Sequence, residues 1–201
     1  MIQHWQHALE THWNISAELT QLDGEYDLNF KASSGHVLKI MRPGCDTAFI
    51  DMQTSAIDTA RKADANLPLP DVIPADTGVL FLELPDENGE TRLCWLLSLV
   101  AGRPWAKFRP HTDPLITDLG AQNARLTLAM SGFEHPELHR DFKWNLMDAG
   151  WIKDDLDVIK DASRNALISD ICRGFTDAKA QLNTLTRVAI HNDLNDYNIL
   201  V

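Results

Sequence analysis

The sequence predicts an α+β chain in two lobes, with strands gathered first and helices after them. Three observations predict it. Strand-length apolar runs set off by Gly, Asp and Ser turns fall almost entirely before residue 100. Helical spacing of apolar residues dominates from Leu115 to residue 186. A loop-like stretch, "AGRPWAKFRPHTDP", parts the two regions. The expected division is a β-rich lobe over 1–100 and a mainly helical lobe over 101–201.

The elements follow in order. Residues 2–13 carry helix-like spacing at Ile2, Trp5, Ala8, Leu9 and Trp13. Residues 16–22 and 26–32 read as strands around "LDGEYD". After the turn "SSGH", Val37–Met41 reads as a third, so 16–41 is expected to form three consecutive antiparallel strands. From Thr47 to Ala65 a helix is expected, with Phe49, Met52, Ala56, Ile57 and Ala60 on one face. "NLPLPDVIPADTG" reads as a proline-punctuated connection. "GVLFLEL" and "TRLCWLLSLV" flank "PDENGE" as a hairpin. An amphipathic helix is expected from Leu115 to Ser131, another over 137–149, and a helical region over 153–186 broken near Gly174. Last comes a short hairpin, whose strands "RVAI" and "NILV" bracket a polar loop.

Composition narrows the function classes. The formal net charge is −11, so the surface repels phosphate backbones and nucleic acid is not an expected partner. An anionic cofactor would need a local device to hold it: a metal ion, a lysine or backbone N–H groups. No apolar run reaches membrane-spanning length, and "MIQHWQHALETHW" has no basic region followed by an apolar core. A cytoplasmic protein without a membrane partner is expected. Cys45, Cys94 and Cys172 form no CxxC and read as reduced thiols.

The densest chemistry lies in "VAIHNDLNDYNILV", Val188–Val201. There His191, Asp193 and Asn198 have the spacing H-x-D-x-x-x-x-N, which phosphoryl transfer uses. A carboxylate orients a hydroxyl and takes its proton, and an amide oxygen a few residues later holds Mg²⁺ against nucleotide phosphates. The plain alternative is a hairpin loop rich in Asn and Asp because they tolerate turns. Flanking apolar runs, a preceding helical region and an upstream strand lysine favour the catalytic reading.

"HNDLNDYNILV" resembles the catalytic loop of the aminoglycoside phosphotransferase and choline kinase superfamily, which has the protein-kinase-like fold. It is similar above all to the hydroxylysine-kinase-like branch, including phosphotransferase domains fused to class III aminotransferases, whose loop reads His-Asn/Gly-Asp-x-Asn-Asp-x-Asn. "GEYDLNFKA" (Gly24–Ala32) resembles that branch's nucleotide-covering strand-turn-strand, and "GFEHPELHRDFKWNL" (Gly132–Leu146) its helical segment after the hinge. The resemblance implies a kinase that transfers the γ-phosphate of ATP or GTP, with Mg²⁺, to a hydroxyl of a small, amine-bearing molecule. It implies Asp193 as the base, His191 as the brace of the loop and Asn198 as the metal ligand. Lys39 in "HVLKI" becomes the phosphate-contacting lysine. Glu25, Asn29 and Phe30 lie in or beside the nucleotide loop, and Leu99 and Val100 at the hinge that meets the purine. The helix glutamate that usually pairs with the lysine corresponds here to Gln53, which can hydrogen-bond an ammonium but not neutralise it.

Other residues are set aside or left open. His139–Arg140–Asp141 mimics a kinase signature, but Leu146 stands where its Asn should be, so it reads as a decoy. Most of the six tryptophans read as packing anchors, with Trp105 and Trp144 as candidates to line a substrate site. The superfamily places a second Asp and further helices after the loop, whereas this chain stops at Val201. The expectation is a truncated kinase that binds nucleotide weakly and does not turn over. The alternative is a non-catalytic, kinase-like scaffold module of an aminotransferase fusion, which the glutamine at position 53 favours.

Overall fold

A computed structural model describes residues 1–24, 26–140 and 144–201, apart from the side chains of Leu146 and Asp148. The described chain forms two compact units: residues 1–137 with 188–201, and residues 138–187.

The first unit is organised by an antiparallel sheet. Its strands are β1 (Leu19–Leu22), β2 (Leu28–Ala32), β3 (His36–Ile40), β4 (Val72–Ile73), β5 (Leu82–Pro85) and β6 (Thr91–Ser98). They lie in the order β1-β2-β3-β6-β4, with β5 also paired to β6. Side chains on successive residues point to opposite faces, so the register sorts the apolar residues into two cores. Phe30, Leu38 and Leu96 are cross-strand neighbours on one face, and there they pack with Trp5, Leu9 and Trp13 of helix α1 (Ile2–Trp13). On the other face Leu93 and Trp95 pack with Met41, Ile50 and Phe49, the last two from helix α2 (Thr47–Ala63). Leu38 is fully buried, and its truncation to Ala costs about 2–5 kcal/mol.

The three-strand reading of 16–41, the helix at 2–13, the helix from Thr47 and the hairpin around "PDENGE" are all present. Asp46 starts α2 by accepting the Ala48 N–H at 2.9 Å. The proline-punctuated connection also contributes β4, a two-residue strand too short for periodicity to reveal. Helix α3 (Asp113–Ala129) takes Pro114 in its first turn. It is tied to α2 by Arg125, which donates to Asp64 at 2.6 and 2.8 Å.

Two expectations about the helical part are corrected. The helix over 137–149 is replaced by 3-10 segments at Pro136–His139 and Leu146–Val158. Residues 141–143, including Asp141 of the decoy triplet, lie outside the described residues. Asn145 accepts the Met147 N–H, and the Asp-rich sequence that follows favours local turns over an α-helix. Helix α4 (Ala162–Leu182) runs unbroken through Gly174. One interior Gly costs only about 1 kcal/mol relative to Ala, and a helix of 21 residues capped by Asp161 absorbs it. No described helix is long and apolar enough to cross a membrane.

A third correction concerns the final hairpin. "RVAI" and "NILV" do not pair with each other. Instead residues 199–201 run against 103–105. The Arg103 N–H donates to the Val201 carbonyl, the Val201 N–H to the Arg103 carbonyl (both 2.9 Å), and the Trp105 N–H to the Ile199 carbonyl at 2.8 Å. The partner lies almost a hundred residues away in sequence, where no local pattern announces it.

Candidate functional site

The polar loop between Val188 and Asn198 is held by its own side chains. Asn192 has φ 64°, the left-handed region that Asn and Gly tolerate best. That conformation accounts for Asn or Gly at this point in the resembled loop. The Asp193 N–H donates to His191 Nδ1 at 3.3 Å. The imidazole must therefore be bare at Nδ1 and is held as the neutral form. Partial desolvation pulls the His191 pKa below its ordinary value, and the Asp193 carboxylate pulls the other way.

Two asparagines grip the Asp193 carboxylate. Asn195 Nδ2 donates to Asp193 Oδ1 at 2.8 Å, while its own Oδ1 accepts the Tyr197 N–H at 2.9 Å in an Asx turn. Asn198 Nδ2 donates to Asp193 Oδ2 at 2.8 Å and to the Asp193 carbonyl at 2.9 Å. The carboxylate retains lone pairs for one more donor. With Nδ2 turned to Asp193, Asn198 Oδ1 points away, and it accepts no hydrogen bond among the described residues. Behind the loop, a cleft of about 200 Å³ is lined by Asn123 and Thr127 of α3 and by Ile190, His191, Asn192 and Leu194.

This donor set suits Mg²⁺, a hard cation that takes oxygen ligands and keeps several waters. Asn198 Oδ1 could supply one such ligand. Among the described residues no group of three or more His, Cys, Asp and Glu side chains stands ready to hold a metal. Phosphate oxygens and water would have to complete the shell.

Lys39 lies on β3, directly opposite Asn29 of β2 and Trp95 of β6. All three occupy the α2 face of the sheet. Its Nζ sits 5.8 Å from the Trp95 ring centroid. No ion pair reaches it among the described residues. Desolvation lowers its pKa, opposed in part by the Asp27 carboxylate. Asn29 Oδ1 and Trp95 Nε1 are buried without a hydrogen-bond partner among the described residues. At the preceding turn, a Cβ on Gly24 would lie 2.5 Å from the Asp27 carbonyl oxygen and 2.7 Å from Asn29 Nδ2. Only glycine fits there without moving backbone.

The structure joins some of the expected site residues and separates others. His191, Asp193 and Asn198 form one hydrogen-bonded loop, and Lys39 and Asn29 are cross-strand neighbours. Phe30 is fully buried in the core against α1, so the alternation of β2 places its side chain on the face away from Lys39. Gln53 donates to the Phe49 carbonyl of its own helix at 3.3 Å and forms no bond with Lys39. The Leu99 N–H is taken by the Gly35 carbonyl at 2.9 Å. That leaves the Leu99 carbonyl and the Val100 backbone without partners among the described residues. Glu25 lies outside the described residues. Trp144 is 73% exposed, and Trp105 stacks on His111 with centroids 4.3 Å apart.

No family model matches the chain, and no curated protein sequence does. Solved structures do match. A microcompartment-associated aminopropanol kinase superposes with a TM-score of 0.73 at 20% identity, over 100% of this chain and 65% of that one. The fold is that of the small-molecule kinases. An aminoglycoside 2'-phosphotransferase in its GDP complex gives 0.62 at 14% identity, over 100% and 66%. An aminoglycoside phosphotransferase from Alicyclobacillus acidocaldarius gives 0.59 at 13%, over 96% and 61%. At these identities the likeness is one of fold, and the chain spans two thirds or less of the solved chains it resembles. The α+β, kinase-like fold implied by the catalytic-loop resemblance is therefore present.

Asn195 and Trp95 are the site's neighbours that the sequence reading did not assign. Asn195 was visible as a fixed position of the resembled loop, but its grip on Asp193 was not. Trp95 looked like any core aromatic until the register set it beside Lys39.

Proposed function

We propose that this chain carries the nucleotide lobe and catalytic loop of a phosphotransferase. It would transfer the γ-phosphate of ATP or GTP to a hydroxyl of a small, amine-bearing molecule. The observation that carries this reading is the loop itself, where Asp193 and Asn198 are bound to each other at 2.8 Å and braced by His191 and Asn195, within a chain of kinase-like fold.

In this reading the acceptor hydroxyl donates to an Asp193 oxygen and gives up its proton there. The hydroxyl oxygen then bonds to the γ-phosphorus, while the bond to the β–γ bridging oxygen breaks and that oxygen leaves with the electron pair. Asn195 and Asn198 fix the carboxylate, so its approach to the hydroxyl is set before substrate arrives. Lys39 meets the negative charge of the nucleotide phosphates. Asn198 Oδ1 would hold Mg²⁺, which would supply neutralisation of the phosphate charge. The Leu99 carbonyl and Val100 backbone meet the purine. The lobe division at residue 100 belongs to the same reading. So do Mg²⁺ as the metal, a hydroxylysine- or aminoglycoside-like acceptor, an aminotransferase module elsewhere in the gene and a cytoplasmic location.

Thermal unfolding with Mg²⁺–ATP and Mg²⁺–GTP tests it. At nucleotide about 100 times Kd the fold gains about 2.7 kcal/mol, or roughly 5–10 °C for a domain of this size. Lys39→Ala and Asn198→Ala should abolish the shift, and Asp193→Asn should retain most of it. A cooperatively folding chain that gives no shift with either nucleotide overturns the reading. Gln53, turned to Phe49, favours the scaffold alternative, which predicts that negative result.

A further inference from the structure

Among the described residues Lys39 has no acid to pair with. Gln53 is neutral and engaged with the Phe49 carbonyl. Asp27, whose carboxylate is the charge acting on Lys39, accepts the Arg42 N–H at 2.9 Å and lies 3.9 Å from the Arg42 guanidinium. From β2 the ammonium faces Asn29 and from β6 it faces Trp95, both uncharged. Resting on the nucleotide-site reading above, we propose that the Trp95 indole positions the Lys39 ammonium for phosphate. It would do so in place of the usual helix carboxylate.

Four observations carry this. The ammonium lies 5.8 Å from the ring centroid, within the range of a cation–π contact, for which Trp is the strongest partner. The two residues are directly opposite in the β3–β6 register, so the contact is set by the sheet and not by a mobile chain. Trp95 is 2% exposed, and its ring is therefore fixed in place by packing. Finally, its Nε1 and Asn29 Oδ1, on either side of the lysine, are both buried without partners among the described residues, which costs stability that packing alone does not explain. Trp13, by contrast, spends its N–H on the Ile73 carbonyl at 3.2 Å, as a structural tryptophan does.

The arrangement has a chemical consequence. A glutamate would neutralise the ammonium before nucleotide arrived. A ring orients it and leaves its charge unspent, in a desolvated setting that lowers its pKa. An incoming phosphate then gains the whole charge.

The test uses the 201-residue chain with Trp95→Leu and Trp95→Phe, read by lysine side-chain NMR and by Mg²⁺–ATP titration, with Lys39→Met to assign the resonance. The expected wild-type result is a Lys39 ε-methylene signal shifted upfield of the other lysines by the indole ring current. Trp95→Leu should abolish that shift and weaken Mg²⁺–ATP by roughly 3- to 30-fold. Trp95→Phe, which keeps a ring face, should retain an upfield shift and bind within about 3-fold of wild type. The proposal is overturned if the wild-type Lys39 signal is unshifted. A folded Trp95→Leu that binds like wild type overturns it too. If that variant does not fold, a tenfold loss in Trp95→Phe is the overturning result. If wild type binds no nucleotide while the Lys39 signal is shifted, the nucleotide reading fails and the Lys39–Trp95 contact stands.

Discussion

Lys39 is a half-buried cation opposite an indole and an amide oxygen that has no partner among the described residues, and its pKa is lowered chiefly by desolvation. The folded state therefore penalises the charged form. Lys39→Met keeps the apolar stem and removes the charge, so the ligand-free chain should melt above wild type at neutral pH. The sign with pH is fixed. A lysine whose folded pKa lies below its unfolded value destabilises fully below the folded pKa, and the penalty disappears as pH rises to the unfolded value near 10.5. The melting-temperature gap between wild type and Lys39→Met should narrow over that window. A wild type that melts above Lys39→Met at neutral pH would show that Lys39 is stabilised as the cation.

At the scale of the element, the catalytic loop rests on one backbone conformation and one neutral imidazole. Asn192 is left-handed at φ 64°. Asn192→Gly should change stability by less than about 0.5 kcal/mol, whereas Asn192→Val, β-branched at positive φ, should cost about 1–3 kcal/mol by thermal or urea unfolding. His191 accepts the Asp193 N–H through Nδ1, a bond that protonation destroys. Its folded pKa lies below the ordinary 6.5. The unfolded state thus binds more protons between the two values, and stability falls as pH drops from about 6.5 to the folded pKa. NMR titration should place the His191 midpoint below 6.5, and His191→Gln should remove its part of the acid slope. A midpoint above 6.5 would mean that the Asp193 charge outweighs desolvation.

For the whole molecule, the sheet with a helix on each face makes one position a reporter of global unfolding. Cys94 is fully buried in the α1-side core and its thiol is pushed up to about 12, while Cys45 and Cys172 are only partly buried. At neutral pH a maleimide should label the native chain at no more than two thiols, Cys45 the slower because desolvation raises its pKa. Cys94 should react only as the fold opens, at a rate that follows the unfolding equilibrium in urea. Prompt labelling of Cys94 in buffer would place β6 among the locally opening segments. That would be a notable result for the strand that pairs with β3, β4 and β5.

By itself the sequence determined the fold class, the three strands of 16–41, the hairpin around "PDENGE", α1, α2 and α3, and the His191–Asp193–Asn198 spacing. These are local signals: periods of 2 and 3.6, turn residues, and a short motif whose geometry is closed by hydrogen bonds within eight residues. Tertiary structure alone decided the rest, because it turns on partners distant in sequence. Pairing of 199–201 with 103–105 displaced the expected final hairpin. Alternation along β2 sent Phe30 into the α1 core while leaving Asn29 beside Lys39. The antiparallel register of β3 on β6 set Lys39 against Trp95, fifty-six residues on, a contact that no local pattern encodes because a strand's partner is chosen by the sheet.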